Sequence, residues 1–121
     1  MGKKILIVDD EALICKVLSI RLGGLGYEVF TALDGEDGLA AAKREKPDLL
    51  LLDIGLPKID GNELCGLIKA DPATSGARVI MLTGRDPGAD AGAALPGGAD
   101  MYVVKPYDWA ELLDGIRKLT E

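Results

Sequence analysis

There is no histidine in this chain. Imidazole acid–base catalysis, phosphohistidine on the chain itself and histidine-ligated metal sites are therefore excluded. Cysteine is scarce: Cys15 and Cys65 lie far apart, each in a helical pattern, and form no CxxC pair. Zinc and dithiol chemistry lack a ligand set, and both thiols are expected to be reduced and buried or half-buried. No apolar run approaches the ~20 residues of a membrane helix. The start, Met1-Gly2-Lys3-Lys4 and then Ile5-Leu6-Ile7-Val8, begins like a signal peptide, but its apolar stretch stops after four residues at Asp9, too short for an h-region. A cytoplasmic protein with no membrane partner is expected. Positive charge is also short: 14 Lys and Arg stand against 20 Asp and Glu, a formal net charge of −6. Phosphate contacts need a basic surface, so nucleic-acid binding by this chain alone is not expected. Internal repeats, low-complexity tracts and linkers are missing from the sequence as well.

What is present suits one domain. The chain has 121 residues, 48% hydrophobic and 28% charged, enough to build a core and stay in solution. Apolar runs at 5–8, 27–32, 48–52, 79–82 and 101–104 alternate with helical patterns at 11–22, 36–46, 60–70 and 109–119. Asp60 is expected to cap the third helix and Asp71-Pro72 to stop it. Strands alternating with helices imply an α/β fold, a doubly wound parallel sheet covered on both faces. Strands buried on both faces read as continuous apolar runs, so Leu49-Leu50-Leu51-Leu52 should be the most buried strand, in the middle of the sheet. The stretch "RDPGADAGAALPGG" at 85–98 stands where a fourth helix belongs. Its Gly and Pro content predicts a short or frayed helix.

In open α/β sheets, ligands bind beyond the carboxyl ends of the strands. Asp9, Asp10 and Glu11 follow the first strand, Asp53 the third, Thr83 the fourth, and Lys105 with Pro106 the fifth. If the first and third strands are neighbours, three aspartates meet, flanked by Thr83 and Lys105. Carboxylates about 5 Å apart repel by roughly 3 kcal/mol at an effective dielectric of 20. A divalent cation with hard oxygen ligands, magnesium, relieves this. That set suits phosphoryl transfer onto Asp53 as nucleophile. Taken singly, each signal has a plainer reading: Asp9-Asp10-Glu11 as a helix cap, Thr83 as a strand end, Lys105 as a solvated loop lysine or turn residue. Their joint placement carries the argument.

The segments "ILIVDDE" at 5–11, "LGYEVFTALDGEDGL" at 25–39, "PDLLLLDIGLPKIDG" at 47–61, "VIMLTG" at 79–84 and "GADMYVVKPYDWAEL" at 98–112 strongly resemble the receiver domain of bacterial two-component response regulators, including single-domain chemotaxis regulators. The resemblance implies a flavodoxin-like fold with strand order 2-1-3-4-5, and one receiver domain spanning 1–121, either a single-domain regulator or a piece of a larger regulator or hybrid kinase. It implies a phosphorylation-activated switch, not an enzyme beyond assisting its own phosphorylation and dephosphorylation. Asp53 would accept phosphate from a histidine kinase or histidine phosphotransfer protein. Magnesium would be held by Asp10, Asp53 and the Gly55 carbonyl, with Asp9 helping. Thr83 and Lys105 would contact the phosphoryl group, the Lys105–Pro106 bond would be cis, and Thr83 and Tyr102 would form the switch. The fourth helix, fifth strand and fifth helix would then change the surface offered to a downstream output protein or domain, in a monomer or a weak phosphorylation-linked dimer.

Three features depart from the family's pattern. Gly55, two after Asp53, has no side chain to screen an acyl phosphate, and Arg85 stands two after Thr83. Both positions tune phosphate lifetime in the family. The Gly/Pro-rich fourth helix is expected to be mobile until phosphorylation or a partner orders it. Other readings compete. A haloacid-dehalogenase-type phosphohydrolase would need a second Asp where Gly55 stands. A flavin-mononucleotide carrier would need a hydroxyl- and glycine-rich loop where Asp9-Asp10-Glu11 stand. A phosphate-independent pseudo-receiver would lack part of the set that is complete here.

Overall fold

The computed structural model describes residues 2–83 and 98–121. Strands β1 (Lys4–Val8), β2 (Glu28–Ala32), β3 (Leu49–Asp53), β4 (Arg78–Thr83) and β5 (Met101–Val104) are joined with helices α1 (Ala12–Gly23), α2 (Gly35–Glu45), α3 (Gly61–Ala70) and α4 (Trp109–Thr120). All pairings are parallel and the order is β2-β1-β3-β4-β5. This is the expected flavodoxin-like, doubly wound topology. The expected helix between β4 and β5, with Arg85 and the Gly/Pro-rich stretch, lies outside the described residues. Among the described residues no helix is long and apolar enough to cross a membrane.

The leucine run is central, as its composition requires. β3 lies between β1 and β4, and Leu49 to Leu52 are each 0% exposed. Successive side chains of a strand point to opposite faces, so the run feeds two cores. Leu50 and Leu52 join Leu6, Val8, Val79 and Met81 under α2 and α3. Leu49 and Leu51 join Ile5, Ile7, Ile80 and Leu82 under α1 and α4. Each fully buried aliphatic side chain contributes about 1.5–3 kcal/mol, which is why no polar residue interrupts the run. Cys15 and Cys65 are free thiols, one in each core. Burial pushes Cys65 up to about 11 and also raises Cys15.

Caps fix where the helices begin. Asp34 accepts from the Asp37 N–H at 2.8 Å, Asp60 from the Glu63 N–H at 2.9 Å, and Asp108 from the Ala110 N–H at 3.1 Å. At the amino edge of the sheet, acids are tied into the structure. Asp48 accepts from the Lys4 N–H at 2.8 Å. Asp100 accepts from Lys69 Nζ at 2.9 Å and the Val79 N–H at 2.8 Å, with Arg78 at 3.4 Å.

Candidate functional site

Parallel pairing puts the carboxyl ends of β1, β3, β4 and β5 along one edge, and Asp9, Asp10 and Asp53 stand there. Asp9, just past β1, is 1% exposed. Its N–H donates to the Ala32 carbonyl at 3.1 Å, extending the register with β2. Its Oδ1 accepts from the Glu11 N–H at 2.9 Å. Its Oδ2 is buried with no hydrogen-bond partner among the described residues. Burial pushes the Asp9 carboxyl above its ordinary value; the Glu11 N–H and Lys105 oppose this, while the charges of Asp53 and Glu11 add to it. Asp10 is exposed. Asp53 closes β3 half-buried, and its Oδ1 accepts from the Gly55 N–H at 3.3 Å. One carboxylate oxygen from each of Asp9, Asp10 and Asp53 lies within 4.8 Å of the others.

The cation arrives from the far end of the chain. Lys105 Nζ is 3.4 Å from Asp53 Oδ1 and 3.9 Å from Asp9 Oδ2, the second being an ion pair too long for a hydrogen bond. The Lys105 N–H donates to the Thr83 carbonyl at 2.6 Å, and the Lys105–Pro106 bond is cis. Thr83 ends β4, is 5% exposed, and pairs with Val104. The structure thus brings Asp9, Asp10, Asp53 and Lys105 together, with Thr83 beside Lys105. Tyr102 is half-buried in the core under α2 and α3, and its hydroxyl lies 3.5 Å from Asn62 Oδ1. Burial raises the Tyr102 phenol.

The helix-cap reading of 9–11 holds in position but not in side-chain bonding. Glu11 is the N-cap of α1 but makes no side-chain cap bond, and no acid lies in the first turn. The Asp9 carboxylate serves the Glu11 N–H and leaves one oxygen over. An orphaned buried oxygen is costly unless something pairs with it. Carboxylate oxygens of Asp9, Asp10 and Asp53, all within 4.8 Å of one another, are close enough together to be shared by one hard divalent cation. The all-oxygen donor set fits a hard divalent cation.

One residue of consequence escaped the sequence reading. Lys58 has a φ of 69° and an ammonium 3.5 Å from Asp34 Oδ2 and 3.3 Å from Glu36 Oε2. The only signal was a lysine after Pro57 facing the acids "DGED" at 34–37.

Comparison with known proteins identifies the family and the fold. The response regulator receiver domain model matches residues 5–117. The alkaline phosphatase synthesis transcriptional regulatory protein PhoP of Bacillus subtilis is 44% identical over 112 residues, covering 93% of this chain and 46% of that protein. The chain spans about half the length of the curated relatives it matches. Chemotaxis response regulator CheY4 of Vibrio cholerae superposes with a TM-score of 0.87 at 30% identity, covering 98% of this chain and 99% of that one. The receiver domain of sensor histidine kinase PA1611 from Pseudomonas aeruginosa, solved with magnesium in its active-site cleft, gives 0.86 at 30% identity, covering 99% and 98%.

Proposed function

Given that the chain belongs to the response regulator receiver domain family, we propose that it is a phosphorylation-activated switch whose phosphoacceptor is Asp53. The observation that carries this is the pairing of three clustered carboxylates with one ammonium, Lys105 Nζ at 3.4 Å from Asp53 Oδ1. An Asp53 carboxylate oxygen attacks the phosphorus of a partner's phosphohistidine in line. The P–N bond breaks, the imidazole leaves and takes a proton, and Asp53 becomes an acyl phosphate. Lys105 holds a positive charge where phosphoryl oxygens arrive, and the Thr83 hydroxyl donates to one of them. Asp9, Asp10, Asp53 and the Gly55 carbonyl would hold magnesium, which supplies charge neutralisation at the phosphoryl group.

The new charge biases a two-state equilibrium, read through Thr83 and Tyr102 and passed to the surface of β5 and α4. The partners are a histidine kinase or phosphotransfer protein upstream and an output protein or domain downstream. A net charge of −6 disfavours nucleic-acid contact by this span itself. A phosphohydrolase reading has less support: Gly55, with no side chain, stands where the general acid would be.

Incubation with magnesium and acetyl phosphate, or beryllofluoride as a stand-in, tests this by intact mass and Trp109 fluorescence. One phosphoryl addition is expected, lost in Asp53→Asn. An addition that survives that substitution rejects Asp53 as the acceptor.

A further inference from the structure

The loop that follows β3 carries Asp53 at its start and Gly55 two residues on, and its far side is tied to α2. Lys58, at the loop's turn, takes a left-handed φ of 69°, a conformation unfavourable for a residue with a β-carbon. Its ammonium bridges Asp34, the N-cap of α2, and Glu36 in its first turn. Backbone contacts run alongside. The Gly35 N–H donates to the Pro57 carbonyl at 3.3 Å, and a Cβ at Gly35 would collide with the Ile59 carbonyl. The loop then closes on itself, with the Ile59 N–H on the Pro57 carbonyl and the Gly61 N–H on the Ile54 carbonyl, both at 2.9 Å. Gly61 lies against the backbone carbonyl of Asp53, where a Cβ would not fit. Contacts are therefore continuous from the Lys58 ion pairs to the backbone of Asp53.

Exposed ion pairs add little to global stability, and Lys58 is 59% exposed in its side chain. A lysine in an unfavourable backbone conformation, itself exposed and paired with one half-buried and one exposed acid, is poorly explained as a stabilising device. We infer that Lys58 is a positioning residue for the phosphoacceptor pocket: clamped by Asp34 and Glu36, it holds the 54–60 loop so that Asp53 and Gly55 keep the arrangement that takes a divalent cation. This rests on the reading of the pocket as a magnesium-dependent phosphoacceptor.

The sign of the effect separates positioning from simple electrostatics. Deleting a positive charge near an acidic site strengthens cation binding by Coulomb's law alone, whereas losing a positioning contact weakens it. Magnesium titration of the full chain by calorimetry, with Lys58→Ala, Lys58→Gly and Lys58→Arg, reads this directly. Lys58→Gly accepts the left-handed φ without strain, so it removes the clamp alone. Lys58→Ala and Lys58→Gly are expected to bind magnesium roughly tenfold more weakly, the scale of outer-shell changes. Lys58→Arg should restore binding, and thermal midpoints should stay close to that of the unsubstituted chain. Unchanged or tighter binding in both the Ala and Gly variants overturns the inference. If that occurs while the unsubstituted chain takes phosphate on Asp53, the phosphoacceptor reading stands; absence of phosphorylation on Asp53 removes both.

Discussion

Lys105 and Asp53 face each other across the edge of the sheet, Nζ 3.4 Å from Oδ1, and the same ammonium stands 3.9 Å from Asp9 Oδ2. One cation from the end of β5 thereby serves carboxylates delivered by β1 and β3. Its removal should slow phosphoryl transfer without abolishing it. Lys105→Met is expected to lower the rate of phosphorylation by acetyl phosphate by about 10²-fold, the scale of losing one preorganised charge-stabilising donor. Intact-mass time courses check this, with Asp53→Asn as the zero.

Divalent ions should stabilise the fold through the same pocket. Magnesium at 100 times its Kd adds about 2.7 kcal/mol by linkage, seen as a rise in Tm that a chelator reverses. Asp9→Asn and Asp53→Asn should lose most of that rise. A Tm indifferent to magnesium in the unsubstituted chain would contradict the proposed ligand set.

The Asp9 carboxyl sets a pH dependence whose sign is fixed by its raised pKa. Burial is the largest cause, with the Glu11 N–H opposing. The folded chain holds this proton more tightly than the unfolded chain, whose aspartates titrate near about 3.9. In divalent-free solution, stability therefore falls as pH rises between that value and the raised one, and Asp9→Asn should flatten this part of the profile. Magnesium needs the carboxylate, so its affinity should weaken as pH falls through the same window. A series of magnesium titrations at descending pH checks this.

Asp100 behaves oppositely. Burial would raise its carboxyl, but the Lys69 ammonium, the Val79 N–H and the charges of Lys69 and Arg78 together hold it below the ordinary value. Its stabilisation is complete above about 3.9 and is lost as pH falls through the lowered folded value. Asp100→Asn should cost about 1–3 kcal/mol near neutral pH, a deficit that closes in acid. Urea unfolding across pH measures it, and phosphorylation by acetyl phosphate should persist in this variant.

Much of this architecture was legible in the sequence, for identifiable reasons. A strand buried on both faces must be apolar throughout, so Leu49–Leu52 announced its central position, and Asp60 announced the start of α3. The pocket followed from parallel strand direction, which separates Asp48, at the amino end of β3, from Asp53 at its carboxyl end. The first is bonded to the Lys4 backbone; the second faces Lys105. What stayed hidden depended on pairing and on backbone conformation. Asp9 and Asp10 are chemically alike in sequence, yet the Asp9 bond to Ala32 buries one while the other stays exposed. Neither the left-handed lysine at 58 nor the bonding of Asp100 to Lys69 and the Val79 N–H has a composition signal, because lysine is no typical turn residue and Asp100 reads as an ordinary loop acid.

The pocket has no local precursor. Its groups come from position 9 near the beginning, 53 near the middle and 105 near the end, joined only through pairings such as Ile5 with Leu49 and Thr83 with Val104. No hairpin or single βαβ unit can assemble it. A chain lacking β5 loses Lys105 and the strand that pairs with Thr83, so the ammonium and the carboxylates become neighbours only once the sheet is assembled across nearly a hundred positions of sequence.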